Sequence, residues 1–171
     1  MAEEFLCLMA EYCEEDQKKI SVWYDALQNA GFRGMQTPNL KHHISLGTFP
    51  LDQEEAAKAL VRRIARLLAP VQANIRHVGV MPGGRVLFAA PDMTEELVSL
   101  QRATGCKKVN GFDWLPHTTM LIDEPNVIAA ALPTLMQHFT PIPATIDRLE
   151  LCAFWPTRHI LTVELKGIGQ E

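Results

Sequence analysis

The chain has 171 residues, 47% of them hydrophobic, and a formal net charge of −4. That length suits one ordinary domain able to bury roughly two thirds of its unfolded surface without disulfide staples. The negative balance excludes broad, sequence-independent binding to long duplexes, which draws on many Lys and Arg contacts to phosphate; a small or terminal phosphate substrate stays open.

From the start, Met1-Ala2-Glu3-Glu4 lacks a basic leader region, and no apolar run approaches the ~18 residues of a membrane span, so a soluble, cytoplasmic protein is expected. Phe5 to Ala10 is an unbroken apolar run that suits a buried strand. Ile20, Trp23, Tyr24 and Leu27 recur at helical spacing, and Gly31 stands where a left-handed C-cap would end that helix. Residues 41–49 read as a strand, and about 52–69 as a helix opened by a capping-box-like Asp52 and Glu55, with Ala57, Leu60, Val61, Ile64 and Leu68 as its buried stripe. A strand over about 72–80 ends at the turn Pro82-Gly83-Gly84.

After that turn the order repeats. Arg85 to Ala90 reads as a strand, a helix follows from about Met93 with Asp92 and Glu95 at its start, and residues 115–122 form another strand. Asn126 to Phe139 has helical spacing that Pro133 should kink or split. About 144–166 reads as a hairpin around Trp155-Pro156-Thr157-Arg158. These elements imply an α+β protein of two pseudo-symmetric lobes of antiparallel sheet with helices outside and a central cleft. The expectation is a single bilobal domain over 1–171, with lobe halves of roughly 1–82 and 83–171. The cysteines Cys7, Cys13, Cys106 and Cys152 show no C-x-x-C spacing, so reduced thiols are expected, and neither a metal nor a cofactor is called for.

One short pattern, histidine, any residue, hydroxyl residue, apolar residue, occurs in each half: His43-Ile44-Ser45-Leu46 and His117-Thr118-Thr119-Met120. In a strand, side chains two apart share a face, so each copy presents an imidazole beside a hydroxyl. Two imidazoles facing one another form a metal-free acid and base pair, and two hydroxyls can donate to the non-bridging oxygens of a phosphate. The candidates are therefore His43 and His117 as catalytic groups and Ser45 and Thr119 as substrate-binding groups, at a phosphodiester site. A third histidine, in His138-Phe139-Thr140, is followed by Pro141 and closes a helical run, which marks it as a decoy. His42 should point away from His43, with a place flanking the cleft entrance still open to it, while His77 and His159 read as surface or cleft-edge residues. Among the aromatics, Trp155, Phe88, Phe112 and Trp114 are candidates to stack a nucleobase, with Trp155 at a turn the foremost.

The two motifs, His43-Ile44-Ser45-Leu46 and Leu115-Pro116-His117-Thr118-Thr119-Met120, with Val78-Gly79-Val80 and Gly84-Arg85-Val86-Leu87-Phe88 between them, resemble the two-histidine phosphoesterases, the superfamily of the 2′-5′ RNA ligase-like proteins and RNA 2′,3′-cyclic phosphodiesterases. The resemblance covers most of the chain. It implies a bilobal fold with facing histidines, no metal, and hydrolysis of 2′,3′-cyclic phosphates or 2′-5′ linkages. RNA ends or small cyclic or 2′-5′ nucleotides would be the partners, and a monomer is expected. Ile122 stands where members close to the RNA cyclic phosphodiesterases carry an arginine; Arg158, Lys107 and Lys108 are candidate replacements. The alternatives are a non-catalytic nucleotide or RNA-end binding module, or a phosphodiesterase for a small nucleotide such as an ADP-ribose cyclic phosphate.

Overall fold

The computed structural model describes residues 3–168; Met1 and Ala2 of the start read above, and residues 169–171, lie outside the described residues. Along the chain run β1 (Phe5–Tyr12), α1 (Glu14–Asn29), β2 (His43–Phe49), a single 3-10 turn (Leu51–Gln53), α2 (Glu54–Leu67), β3 (Val71–Gln72), β4 (Ile75–Val80) and β5 (Val86–Pro91). They are followed by α3 (Glu95–Arg102), β6 (Lys108–Val109), β7 (Phe112–Asp113), β8 (Thr118–Ile122), α4 (Pro125–His138), β9 (Thr145–Phe154) and β10 (Arg158–Glu164). No helix among the described residues is long and apolar enough to cross a membrane.

The strands form two antiparallel sheets. One has the order β10-β9-β1-β2, with β3 also on β9; the other has the order β4-β5-β8, and β6 and β7 form a separate ribbon. The repeated order of elements is present as β1-α1-β2-α2-β4 and β5-α3-β8-α4-β9. In each unit the first strand pairs with the second, β1 with β2 and β5 with β8. The third strands are exchanged: β4 pairs with β5 of the other unit, and β9 with β1. Each sheet is thus made from both units, although the turn at Pro82-Gly83-Gly84 separates them along the chain.

The strand expected over 72–80 is broken because the chain changes sheets there. Val71 and Gln72 pair with Ile146 and Thr145, and after Ala73 and Asn74 the chain resumes as β4 on β5. Neither expected carboxylate cap forms. Gln53 precedes α2 with no side-chain cap bond, Asp52 being part of the 3-10 turn. At α3 the cap is Thr94, whose hydroxyl accepts from the Leu97 amide, while the Asp92 carboxylate accepts from Arg76 and His77 instead. Pro133 does not split α4. It and Ala129, whose carbonyl loses its intrahelical donor, both lie on the exposed face, where water can replace the bond. Gly31 does end α1 in the left-handed region, with φ of 92°.

Leu6, Leu8, Ile44 and Leu46 of one sheet and Leu87, Met120 and Leu121 of the other join Ile20, Leu27, Val61, Leu97 and Leu135 of the helices in one core. Each such fully buried side chain contributes about 1.5–3 kcal/mol relative to exposure. The opposite face of β1 and β9 carries a smaller apolar layer, Cys7, Met9, Cys152 and Phe154. All four cysteines are free, and burial pushes the Cys7 thiol up to about 11.

The two sheets are tied side chain to side chain at one buried point: the Tyr12 hydroxyl of β1 and the Thr118 hydroxyl of β8, each 1% exposed, lie 2.8 Å apart. Tyr12→Phe strands the Thr118 hydroxyl in the core and should lower the free energy of unfolding by about 1–2 kcal/mol. Urea denaturation reads this directly, and an unchanged midpoint would show that the tie adds no stability.

Candidate active site

Both motif strands are sheet edges, β2 of one sheet and β8 of the other, and they approach each other. The two motifs are built alike. In β2 the pairing with β1 runs Glu11 to His43, Ala10 to Ile44 and Met9 to Ser45, then skips Leu46 and resumes with Leu8 to Gly47. In β8 the pairing with β5 runs Ala89 to Thr118 and Phe88 to Thr119, then skips Met120 and resumes with Leu87 to Leu121. A bulge therefore falls on the fourth motif residue in both copies, and both bulged side chains, Leu46 and Met120, are fully buried. Anchoring the bulge in the core fixes the register that turns the hydroxyl residue before it the other way.

The histidines are held in matching ways. His43 Nδ1 lies 2.7 Å from the Lys41 carbonyl oxygen, and His117 Nδ1 lies 2.8 Å from that of Leu115, in each case two residues back. A carbonyl only accepts, so each Nδ1 carries the proton and the neutral ring keeps a lone pair on Nε2. Among the described residues no protein group hydrogen-bonds either Nε2. Both rings are half-buried. Burial holds both below the usual histidine value, and the carbonyl bond to each Nδ1 opposes that shift. For His43 the positive charge of a protonated His117 lowers it further, and Glu150 raises it.

A cleft of about 600 Å³ opens beside these strands. His43, Ser45, Thr118 and Thr119 line it, with Cys7, Met9 and Phe154 also in its lining. His117 stands at the start of β8, packed edge-to-face on Phe88 with ring centroids 5.4 Å apart, and is not part of the cleft lining. Ser45 is fixed from behind, its carbonyl accepting from Trp114 Nε1 at 2.9 Å. That bond and its core packing take Trp114 out of the stacking candidates; Phe88 is 8% exposed, and Phe112 lies outside the cleft. Trp155 does line it, 46% exposed, with its indole N–H donating to Thr37 Oγ1 at 3.0 Å.

His42 also reaches the cleft, held by Ser21 Oγ at 3.1 Å from its Nε2 and by Tyr24 against its ring. His77 is exposed and bonded to Asp92, and His159 is exposed and bonded to Glu150. His138 ends α4 with Nδ1 on the Thr134 carbonyl and is not part of the cleft lining. Of the possible substitutes for an arginine at Ile122, Arg158 is engaged by Glu3 and Glu54, and Lys107 and Lys108 lie outside the cleft. Lys41 is the cation among the described lining residues, and it pairs with Glu14. Sequence reasoning missed Gln36, Asn39 and Asn110. The one available signal was asparagine, which tolerates left-handed backbone: Asn39 and Asn110 have φ of 62° and 50°.

The 2′-5′ RNA ligase superfamily model matches residues 17–154, a span that includes both motifs. The chain belongs to this superfamily. Among solved structures it is similar to E. coli LigT in apo form, at 16% identity and a TM-score of 0.63 over 96% of this chain and 99% of that one. LigT complexed with 3′-AMP matches at 18% identity and a TM-score of 0.61, covering 96% and 99%. The protein TT0787 of Thermus thermophilus matches at 18% and 0.60, covering 95% and 98%. No curated protein matches the chain. At these identities the structural likeness shows the fold, and the superfamily match carries the general chemistry of a phosphoesterase.

Two measurements test the local geometry. A methyl group at Gly79 would lie 2.4 Å from the Phe88 ring, the same ring that supports His117. Gly79→Ala should therefore displace the His117 ring and shift its imidazole resonances in NMR spectra while leaving the fold intact by circular dichroism. Burial, followed by the charge of His43, lowers His42 from 6.5 to about 4. Between those values the unfolded chain holds a proton that the folded chain does not, so stability falls as pH is lowered through that window. His42→Gln should remove about one proton from the pH slope of the urea midpoint there.

Proposed function

We propose that residues 1–171 act as one bilobal domain and as a metal-independent phosphodiesterase opening 2′,3′-cyclic phosphates, or cleaving 2′-5′ linkages, at nucleotides or RNA ends. The observation that carries the reading is the matched pair of histidines, each with Nδ1 on the carbonyl two residues back and Nε2 unclaimed by protein. Two groups of one kind, held in one tautomer, suit a reaction in which one side must take a proton and the other must give one.

In the hydrolytic direction the neutral imidazole accepts a proton from water as its oxygen attacks phosphorus. The protonated imidazole gives its proton to the ribose oxygen as the ester bond breaks, leaving a phosphomonoester. Ser45 and Thr119 donate hydrogen bonds to the non-bridging oxygens, where negative charge builds. Transfer of the single proton reverses the roles of the rings, so the same site can run the reverse reaction. Both histidines lie below their usual value in the free protein, and an approaching anion favours the protonated form of either.

One observation bears on substrate size. The cleft's lining cation is paired with Glu14, and Arg158 is committed to two glutamates. With few free cations beside the site, a small cyclic nucleotide or a chain end fits better than the body of a long RNA. LigT has been solved with 3′-AMP, with ATP and with NADP⁺. That range agrees with a cleft of this fold that takes nucleotides.

The decisive experiment incubates an oligoribonucleotide ending in a 2′,3′-cyclic phosphate with the protein in EDTA and identifies the product by mass spectrometry and isomer-resolving chromatography. Wild type should give a single monophosphate isomer, and His43→Ala and His117→Ala should each lose about 10²- to 10⁴-fold in rate. Binding of the oligonucleotide without turnover would favour the binding-module reading. The pH profile adds a second check: kcat/KM, which reports the free protein, should peak on the acid side of pH 6.5, because both histidines are lowered from 6.5 and one must be charged.

A further inference from the structure

The hairpin of β9 and β10 brings together three donors that the two-histidine chemistry does not use. Glu150 and Cys152 are two apart on β9 and share a face, and the register sets His159 of β10 directly across from Cys152. A bulge between His159 and Leu161 then sets Thr162 across from Glu150. Cys152 Sγ lies 3.2 Å from Glu150 Oε1 and 3.4 Å from His159 Nδ1, and His159 Nδ1 lies 2.6 Å from Glu150 Oε1. One ligand atom from each residue therefore falls within 4.8 Å of the other two.

We propose that Glu150, Cys152 and His159 bind one divalent cation of borderline softness, of the Zn²⁺ class, with water in the fourth position. Tetrahedral Zn²⁺ with these donor types, at about 2.0–2.3 Å from the metal, sets neighbouring donors about 3.3–3.6 Å apart. Both distances from sulfur already fall within a few tenths of an ångström of that range. The nitrogen-to-oxygen distance must open, and His159, whose side chain is 56% exposed, is the ligand free to swing outward. A thiolate among the ligands selects against Mg²⁺ and Ca²⁺, which prefer all-oxygen sets. On binding, the Cys152 thiol releases its proton to solvent and no electrons move.

Three further features fit such a site. The Thr162 hydroxyl donates to Glu150 Oε2 and so aims Oε1 at the other donors, which is how second-layer partners orient metal ligands. Exposed His159 leaves one side open to water, giving the ion an entrance and the fourth ligand its place. Charge is the third. Glu11, 5% exposed like Glu150, sits on the same sheet face, and no described group hydrogen-bonds its carboxylate. Nearby Arg148 is bound to Asp147 and Glu14. A dication would balance the negative charge of the Glu11 and Glu150 carboxylate pair. The ion would staple the terminal hairpin on the sheet that carries His43.

The test uses the full chain freed of metal by EDTA, exchanged into chelator-free buffer and titrated with Co²⁺. The near-ultraviolet thiolate-to-cobalt band and the visible bands of tetrahedral Co²⁺ are read, followed by displacement with Zn²⁺. One equivalent should give both sets of bands, and Zn²⁺ should abolish them. Cys152→Ser should lose the charge-transfer band, Cys106→Ser should keep it, and Thr162→Val should weaken Co²⁺ binding about 10- to 100-fold. Because Cys152 is buried, the exposed His159→Gln serves as a second variant that leaves the core untouched, and it should weaken binding by at least as much as Thr162→Val. Absence of a thiolate band in wild type would overturn the proposal, as would a band that persists unchanged in Cys152→Ser and His159→Gln. No turnover is read, so the outcome is independent of the phosphodiesterase reading.

Discussion

The hydrogen bond between Tyr12 and Thr118 is the constraint on which the site's geometry depends. Thr118 lies between His117 and Thr119 in sequence, so its side chain points into the core when theirs do not. Tyr12 ends the central strand of the other sheet, next after the residue paired with His43. This buried contact at 2.8 Å thus ties the two sheets at the point where both motifs begin, and the Trp114 indole on the Ser45 carbonyl adds a second link between the motif segments. Without a partner, either hydroxyl in this core would carry a desolvation cost, so the contact favours one spacing over all looser ones.

Around that tie the two motif strands solve the same problem twice. A bulge on a buried apolar residue sets the hydroxyl's direction, and a carbonyl two residues before each histidine sets the ring. Both devices use backbone groups and buried side chains, which move less than exposed ones. The cleft itself can then be lined by long or mobile side chains without loosening the groups that would do the chemistry.

The main elements were legible because period-two and helical spacing are local, and the candidate pairs His43 with Ser45 and His117 with Thr119 could be picked out because two-residue spacing survives any tertiary arrangement. Strand partners were not. Nothing in Ile75–Val80 or Thr145–Phe154 encodes that each completes the other unit's sheet, since hydrogen-bonding strands share no sequence signal beyond their period. The caps failed for a related reason: Asp92 could serve the helix or the Arg76 and His77 side chains, and only the fold decides which donors are near. Tyr24, Asn39, Gln36 and Trp155 meet in the cleft from a helix, a loop and a distant hairpin, a convergence invisible to spacing. The cluster of Glu150, Cys152 and His159 was hidden in the same way, because its third member lies across a hairpin from the second and not at a fixed helical or loop interval.

The exchange of third strands has an implication for how such a chain comes into being. A lone unit would offer an unfilled edge on its first strand and hold a third strand with nothing to lie against. Two copies would satisfy both needs at once by trading that strand. Joining the copies end to end at the turn after β4 would give the shared framework of the two sheets, to which β3, β10 and the β6–β7 ribbon are additions. The same logic governs synthesis on the ribosome: β1, near the beginning, waits for β9, near the end, before its sheet can close, so the early chain must remain soluble with its central strand still bare on one side.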